Sequence, residues 1–474
     1  MVTSEGHPPM AAGRFAIAQA QVRNTALFVL SVLAIYALQP STPIRHMDFW
    51  FPTTSLGLAV MVWAATALPA AGQRPFDRTF IADALALAAM VLAVAATRYA
   101  DPLSSLVTRS PAPDVPAVVI ALAAVAGLAM LIGRLIGPRP AWTMALVAGL
   151  IAWLILLKHE PFTQAFASAL RTWQGQSAAA ASALDVRWLG FSYIFFRLVS
   201  ALRDRAAGRL PGMSLREFVT YVVFAPALIA GPIDRPDRFL KDLRSPFRFN
   251  LADATEGARR IATGAFKKFV VADLIAVFAL NEVNAGQVRD ASWMWLLVYA
   301  YAFRLYFDFS GYTDIAIGIA RSFGIKLPEN FNRPYLKPNL TQFWNSWHMS
   351  LAQWFRTYYF NPLTRALRTR AWAMPAIIFV GQATTMLLIG LWHGITWNFA
   401  IWGVWHGLGL FVHNRWADFA RARLAIPPER RRLQQAADAV GALVTFHFVA
   451  LGWVWFALPD VALSLVVFGK LFGL

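Results

Sequence analysis

Two histidines stand where an imidazole is costly to place. His393 lies in TTMLLIGLWHGITWNFAIWGVWHGLGLF, residues 384–411, a run without Asp, Glu, Lys or Arg. An ionisable group at membrane depth usually faces a cavity or a partner, which makes it a functional candidate. His348 lies in an aromatic, polar stretch between apolar runs. A neutral imidazole can take a proton from a hydroxyl near neutral pH and so activate an alcohol for attack on an acyl carbon. Asn345 precedes His348 by one turn and can orient a carbonyl or an imidazole. Trp344, Trp347, Trp392 and Trp397 can wall a dry passage for a carrier or acyl chain. The plainer alternative is that such histidines and tryptophans hydrogen-bond between helices or sit at the bilayer interface.

The elements that must position these residues are membrane helices. The chain is 58% hydrophobic and 14% charged, with a mean hydropathy of +0.49. Thirteen apolar windows are candidate helices: 24–39, 53–71, 80–97, 115–137, 141–157, 188–202, 218–233, 262–281, 292–320, 376–392, 396–413, 438–457 and a shorter one at 460–474. A span takes about 20 mostly apolar residues. The expectation is therefore an all-α polytopic protein with roughly ten to thirteen transmembrane or re-entrant helices. The windows are continuous rather than alternating, which argues against a β-barrel.

Cysteine is absent, so disulfides, thiolate ligands and an acyl-cysteine intermediate are excluded. Residues 1–23 form a polar lead without the apolar core of a cleavable signal. The net charge of +18 does not point to nucleic acid, because Lys and Arg sit between the apolar runs. Arg14 and Arg23 precede the first window, Arg134 and Arg139 form a turn, and Arg197, Arg203, Arg205, Arg209 and Arg216 follow. That pattern predicts a cytoplasmic N-terminus under the positive-inside rule. Residues 158–187 read as a moderately polar connection holding a short surface helix, and 416–437 as a charged linker, exposed or interfacial.

The segment 321–370 is aromatic, polar and broken by proline. Asn339 or Thr341 is placed to cap a helix over about 341–358. Phe343, Trp347, Leu351 and Trp354 share one side of that helix. Polar backbone at membrane depth is tolerated only where protein or a water-filled cavity covers it, so a cavity is expected here. Arg356 belongs to the same segment. Asp308 and Asp314 fall in an apolar run and are expected to pair with Arg304 or Arg321, since an unpaired buried carboxylate is costly. Glu329 and Asn330 read as a polar turn that caps helices. Gly403 and Gly407 have the spacing of close helix packing. His406 and His413 read as satisfied interhelical histidines. No third ligand accompanies the histidines at metal-binding spacing, and no Gly-x-Ser-x-Gly elbow is present.

The stretch FDFSGYTDIAIGIARSFGIKLPENFNRPYLKPNLTQFWNSWHMSLAQWFR (307–356), followed by GLWHGITWNFAIWGVWHG (390–407), resembles the membrane-bound O-acyltransferase family. LGFSYIFFR (189–197), GPIDR (231–235) and WVWFALPD (453–460) extend the likeness. The resembling branch contains the alginate O-acetylases and the D-alanyl transfer protein of teichoic acid modification. The likeness runs from about residue 185 to the end and implies a ring of helices around a tunnel, with 181–474 as the catalytic membrane core; 24–180 share only hydropathy with the family and are expected to be N-terminal transmembrane helices. It implies that His393 is the general base and His348 the second catalytic histidine; Asn345, Trp344, Trp347, Trp392 and Arg356 are expected, from their own chemistry and position, to serve the substrate.

The implied activity moves a short acyl group, acetyl or D-alanyl-like, from a cytoplasmic thioester donor to a hydroxyl. The hydroxyl would belong to an extracytoplasmic cell-envelope glycan or a partner protein. The donor would be acyl-CoA or the phosphopantetheine of an acyl carrier protein, with no tightly bound cofactor, and the setting the bacterial cytoplasmic membrane and its lipid. Three departures leave the donor open. Thr357 stands where the family has an acid, Asn345 and Ser346 where the alginate branch has two arginines, and that branch's Gly-Gly-Asn-Arg loop is absent after NPL (361–363). A transporter or flippase of an envelope precursor, or a scaffold relaying acyl groups to a separate transferase, would use the same polar membrane segment.

Overall fold

The computed structural model describes residues 10–67, 77–100, 107–135, 140–423 and 430–474. Regular structure among them is helical, with no strand. Among the described residues, seven helices are long and apolar enough to cross a bilayer by length and composition: Ala18–Ala37, Met47–Thr66, Arg78–Tyr99, Val115–Arg134, Ala141–Lys158, Met374–His393 and Arg431–Ala457. The chain forms two compact units, one of residues 1–259 with 316–327, the other of 260–315 with 328–474. These units are cut differently from the sequence segments 24–180 and 181–474.

In the first unit, Met47–Thr66 is buried along most of its length. Two buried acids of this unit, Asp83 and Asp185, are matched by arginines. Asp83 accepts from the Arg216 backbone and side chain, both at 3.0 Å, and Arg171 pairs with Asp185 at 2.7 Å. Arg23 is buried and donates to the carbonyl of Leu243, at the end of helix Pro236–Arg244. That is where a cation best meets the helix dipole. Residues 158–187 do hold a surface helix, Glu160–Trp173.

One window behaves differently from its hydropathy. The 218–233 stretch does not continue as a span. Helix Leu215–Val222 stops after eight residues and a 3-10 turn follows at Ala225–Ala227. Pro226, Gly231 and Pro232 punctuate this stretch, and proline removes the donor a helix needs. The carbonyls left open are taken by Arg197, which donates to Val222 at 2.8 Å and to Ala227 at 2.7 Å. The 416–437 stretch, read as an exposed loop or an interfacial helix, is helical over most of its described residues. Helix Trp397–Arg423 runs into it from one side and helix Arg431–Ala457 starts inside it on the other. Pro427 and Pro428 lie outside the described residues.

The GPIDR stretch is thus a structural corner. Asp234 is buried, accepts from the Arg235 backbone at 2.8 Å and pairs with Arg238 at 3.0 Å. Burial pushes its carboxyl up to about 6, with the nearby cations opposing the shift. A carboxyl raised on folding favours the protonated chain. That stability is fully present below pH 3.8 and lost as pH rises through about 6.

In the second unit, helices approach backbone to backbone at glycines. A Cβ at Gly390 would lie 2.2 Å from the carbonyl oxygen of Phe399, and one at Gly403 would lie 2.6 Å from that of Met386. One at Gly407 would meet the Cα of Ala383 at 2.8 Å. Helices Met374–His393 and Trp397–Arg423 form this hairpin, and the Gly403–Gly407 spacing does mark its seam. Gly264 and Gly311 make a second such contact, each within 2.7 Å of the other's carbonyl oxygen by the same construction.

That second contact decides the partners of the apolar-run acids. Asp314 pairs with Lys267 at 2.7 Å and Arg260 at 3.2 Å, and Asp308 pairs with Lys268 at 2.5 Å. Neither acid uses Arg304 or Arg321 as the sequence suggested. Both acids are met by cations just before and after Gly264, while Arg321 pairs with Asp253. Arg260 also holds Glu329 at 2.6 Å.

Two outcomes are expected. Gly403→Val overpacks the hairpin by about 1–3 kcal/mol and lowers the melting temperature in detergent. Gly286→Ala, where nothing lies within 4 Å of a new Cβ, leaves it unchanged or higher. Equal melting of the two variants would remove the seam's structural role. Asp234→Asn removes the titration, so its melting temperature loses the fall that the parent shows between pH 4 and pH 6.

Candidate active site

The segment bearing His348 is a broken helix. Leu340–Trp344 is one short helix, capped by Asn339, whose side-chain oxygen accepts from the Gln342 backbone at 2.9 Å. Met349–Phe355 is another. Between them the chain turns, and His348 takes left-handed backbone angles of φ 41° and ψ 54°. A single helix over 341–358 is therefore not formed, although the Asn339 cap is. The break is held by Asn330, which is fully buried. Its backbone oxygen accepts from the Met349 amide at 3.0 Å and its side-chain oxygen from the Ser350 amide at 3.1 Å. These are N–H groups that a helix start leaves unsatisfied. Asn330 does cap a helix, as its polar turn suggested, whereas Glu329 serves the ion pair to Arg260.

His348 is 3% exposed, and neither ring nitrogen has a hydrogen-bond partner among the described residues. Its ring meets Phe309 edge-on at 4.7 Å. Burial holds this imidazole well below the ordinary histidine range, so it stays neutral, with one N–H to donate and one nitrogen to accept. A left-handed non-glycine residue and an unpaired buried polar ring both cost free energy, and such costs gather at functional sites.

His393 is the last residue of helix Met374–His393. It is half-buried. Rings surround it: Trp392 at 4.6 Å, Phe456 at 4.8 Å, Trp402 at 5.8 Å and Phe399 at 6.0 Å between centroids. Trp392 also meets His348 at 6.3 Å. The two histidines, 45 positions apart in sequence, thus share one indole neighbour.

The remaining sequence candidates divide into two groups. Trp344, Asn345 and Arg356 line one cavity of about 180 Å³ with Gln382, Thr385 and Met386. Arg356 donates to the Asn345 side-chain oxygen at 2.5 Å. Trp347 lies instead in a closed aromatic core, with Phe331 and Trp453 at 5.1 Å and Tyr335 and Phe343 at 5.7 Å. Trp397 is 79% exposed at the start of its helix. Thr357, at the position where an acid was expected, accepts from the Gln353 side chain at 3.2 Å.

Gln382 was not singled out from the sequence. Its side-chain oxygen is buried without a hydrogen-bond partner and borders the cavity of Trp344, Asn345 and Arg356. The signal was available: it is the one amide side chain in the apolar helix Met374–His393, and a buried amide needs a reason. His406 is fully buried among Trp402 at 4.9 Å, Trp344 at 5.2 Å and Phe448 at 5.7 Å. It packs, as expected, but it is not a satisfied histidine. Neither nitrogen has a partner among the described residues, because the rings that enclose it supply contact and no acceptor.

The chain is similar to several known proteins. The chain is 33% identical over 294 residues to a teichoic acid D-alanyltransferase of Streptococcus thermophilus, covering 57% of this chain and 68% of the relative. It is 35% identical over 294 residues to a probable alginate O-acetylase of Pseudomonas putida, covering 60% of this chain and 55% of the relative. It is 34% identical over 267 residues to a peptidoglycan O-acetyltransferase of Helicobacter pylori, covering 55% of this chain and 48% of that relative. Residues 141–451 match the model of the membrane-bound O-acyltransferase family. This polytopic helical chain belongs to that family and is an O-acyltransferase.

Proposed function

We propose that the protein transfers a short acyl group from a thioester donor to a hydroxyl of an extracytoplasmic cell-envelope glycan or of a partner protein, with His393 as general base. The observation that carries the reading is His393 itself: a half-buried imidazole at a helix end, in an aromatic cage, sharing Trp392 with a second, fully buried histidine. The relatives' named acceptors, teichoic acid, alginate and peptidoglycan, support an envelope acceptor.

In this mechanism a neutral ring nitrogen of His393 takes the proton of the acceptor hydroxyl as its oxygen attacks the thioester carbonyl. A C–O bond forms, the carbonyl oxygen carries the developing negative charge, and the C–S bond then breaks. The departing thiolate takes the proton back from the imidazolium, leaving an ester, a free thiol and a neutral histidine. His348, held neutral by its burial, donates its N–H to the carbonyl oxygen or orients the acceptor. Trp344, Asn345 and Arg356 hold part of the donor. That donor is acyl-CoA or an acyl carrier protein's phosphopantetheine, reaching the site from the cytoplasmic side of a bacterial inner membrane.

Two substitutions test the assignment with labelled acyl thioester and purified protein. His393→Gln lowers transfer by at least about 100-fold, while its melting temperature stays near the parent's. Full activity in that variant would falsify the base assignment. His348→Asn keeps a residue that tolerates left-handed backbone. It retains the fold and loses about 100-fold or more in kcat, the scale of a lost donor to the carbonyl oxygen. A variant whose loss appears only as melting would show that His348 serves structure alone.

A further inference from the structure

Helices Trp397–Arg423 and Arg431–Ala457 enclose a second space that the acyl-transfer reading does not use. It is a groove of about 1040 Å³ floored by Pro338, Asn339 and Leu340. Val412 and Trp416 on one wall, and Leu433 and Val444 on the other, line it while remaining roughly half to two-thirds exposed. Two glycines keep it concave. A side chain at Gly409 would strike the Phe448 ring, and one at Gly441 would strike the carbonyl oxygen of Pro338 at 2.4 Å. From Leu433 to Phe448 the groove follows about 22 Å of helix, enough to cover the roughly 15 Å hydrocarbon depth of one leaflet.

One end of this groove is strongly basic. Between residues 413 and 441 the chain carries Arg415, Arg421, Arg423, Arg430, Arg431 and Arg432 against Asp418, Glu429 and Asp438. Asp418 is already taken by Arg415 at 2.8 Å and by Arg421. Arg430, Arg431 and Arg432 are exposed and immediately precede Leu433 in the groove wall. An apolar slot one leaflet deep, with a cationic rim beside it, matches a molecule with an alkyl chain and an anionic head.

We propose that this groove is a specific site for an anionic phospholipid, with an acyl chain between the two helices and the phosphate among Arg423 and Arg430–Arg432. The same arginine run is placed by the positive-inside rule at the cytoplasmic face, where basic clusters beside membrane helices recognise anionic headgroups. The site is independent of acyl transfer, and its test reads lipid rather than product.

The full-length protein, purified in mild detergent, is mixed with equal amounts of palmitoyl-oleoyl phosphatidylglycerol and phosphatidylcholine and examined by native mass spectrometry. The parent retains phosphatidylglycerol at least about tenfold over phosphatidylcholine, and raised salt erodes that preference. Arg430→Gln/Arg431→Gln/Arg432→Gln reduces the preference, about fivefold for each arginine engaged. Val412→Trp/Val444→Trp, at two exposed positions, fills the groove and abolishes retention of either lipid. Equal retention of the two lipids by the parent overturns the proposal. So does a preference indifferent to salt, or phosphatidylglycerol binding that survives the filled groove. The last result would leave the groove to a helix of another protein.

Discussion

The contact on which the second unit's proposed chemistry depends is one between backbones. At Gly390, Gly403 and Gly407 the helices Met374–His393 and Trp397–Arg423 come closer than any Cβ would allow. In lipid there is little hydrophobic force to drive helices together, so dispersion contact at small residues has to do it. The consequence is local and chemical. Gly394 to Thr396 suffice to reverse the chain, and His393 is left at the helix end, facing Phe399 and Trp402 of the returning helix of the hairpin. A wider crossing would carry those rings away and leave the imidazole to lipid.

A second constraint is the cost of polar backbone in a dry interior. The chain breaks its helix at residues 345–348, which frees N–H groups that nothing in the break itself can satisfy. Asn330 satisfies two of them with one residue, through its main chain and its side chain. That purchase allows His348 to be turned out of a helical register and pointed toward Phe309 and Trp392. The ion pairs around Gly264 and Gly311 follow the same logic, since two acids in an apolar helix are matched by cations from the helix that touches it.

What the sequence disclosed follows from range. Features that depend on near neighbours were legible: the apolar windows that became long helices, the Gly403–Gly407 seam, the Asn339 cap, and a histidine without charged company at 393. The stop after Val222 was also written locally, in Pro226, Gly231 and Pro232, but a hydropathy window averages over such punctuation. Features decided by distant residues were not legible. Nothing between 341 and 358 is proline or glycine, so the stretch reads as one helix, and only Asn330 reveals the break. The partners of Asp308 and Asp314 lie 40 to 54 positions away, while Arg304 and Arg321 were merely close in sequence. Trp347 looked like its neighbour Trp344, yet one entered a closed aromatic core and the other a cavity wall.

The unequal burial of the two histidines separates what each can do. A base that takes a proton from a hydroxyl and returns it to a thiolate must pass through a charged state in every turnover. Deep burial penalises that state, and partial exposure eases it. In the proposed mechanism that state falls to His393, which is half-buried at a helix end. His348 cannot do so cheaply, since its ring is enclosed and without a partner among the described residues. What it can offer is a fixed, neutral N–H, and a fixed dipole is worth most where water is excluded. The indole of Trp392 lies against both rings. The two imidazoles are therefore unequally exposed, and the proposed division of base and neutral donor between them follows that difference.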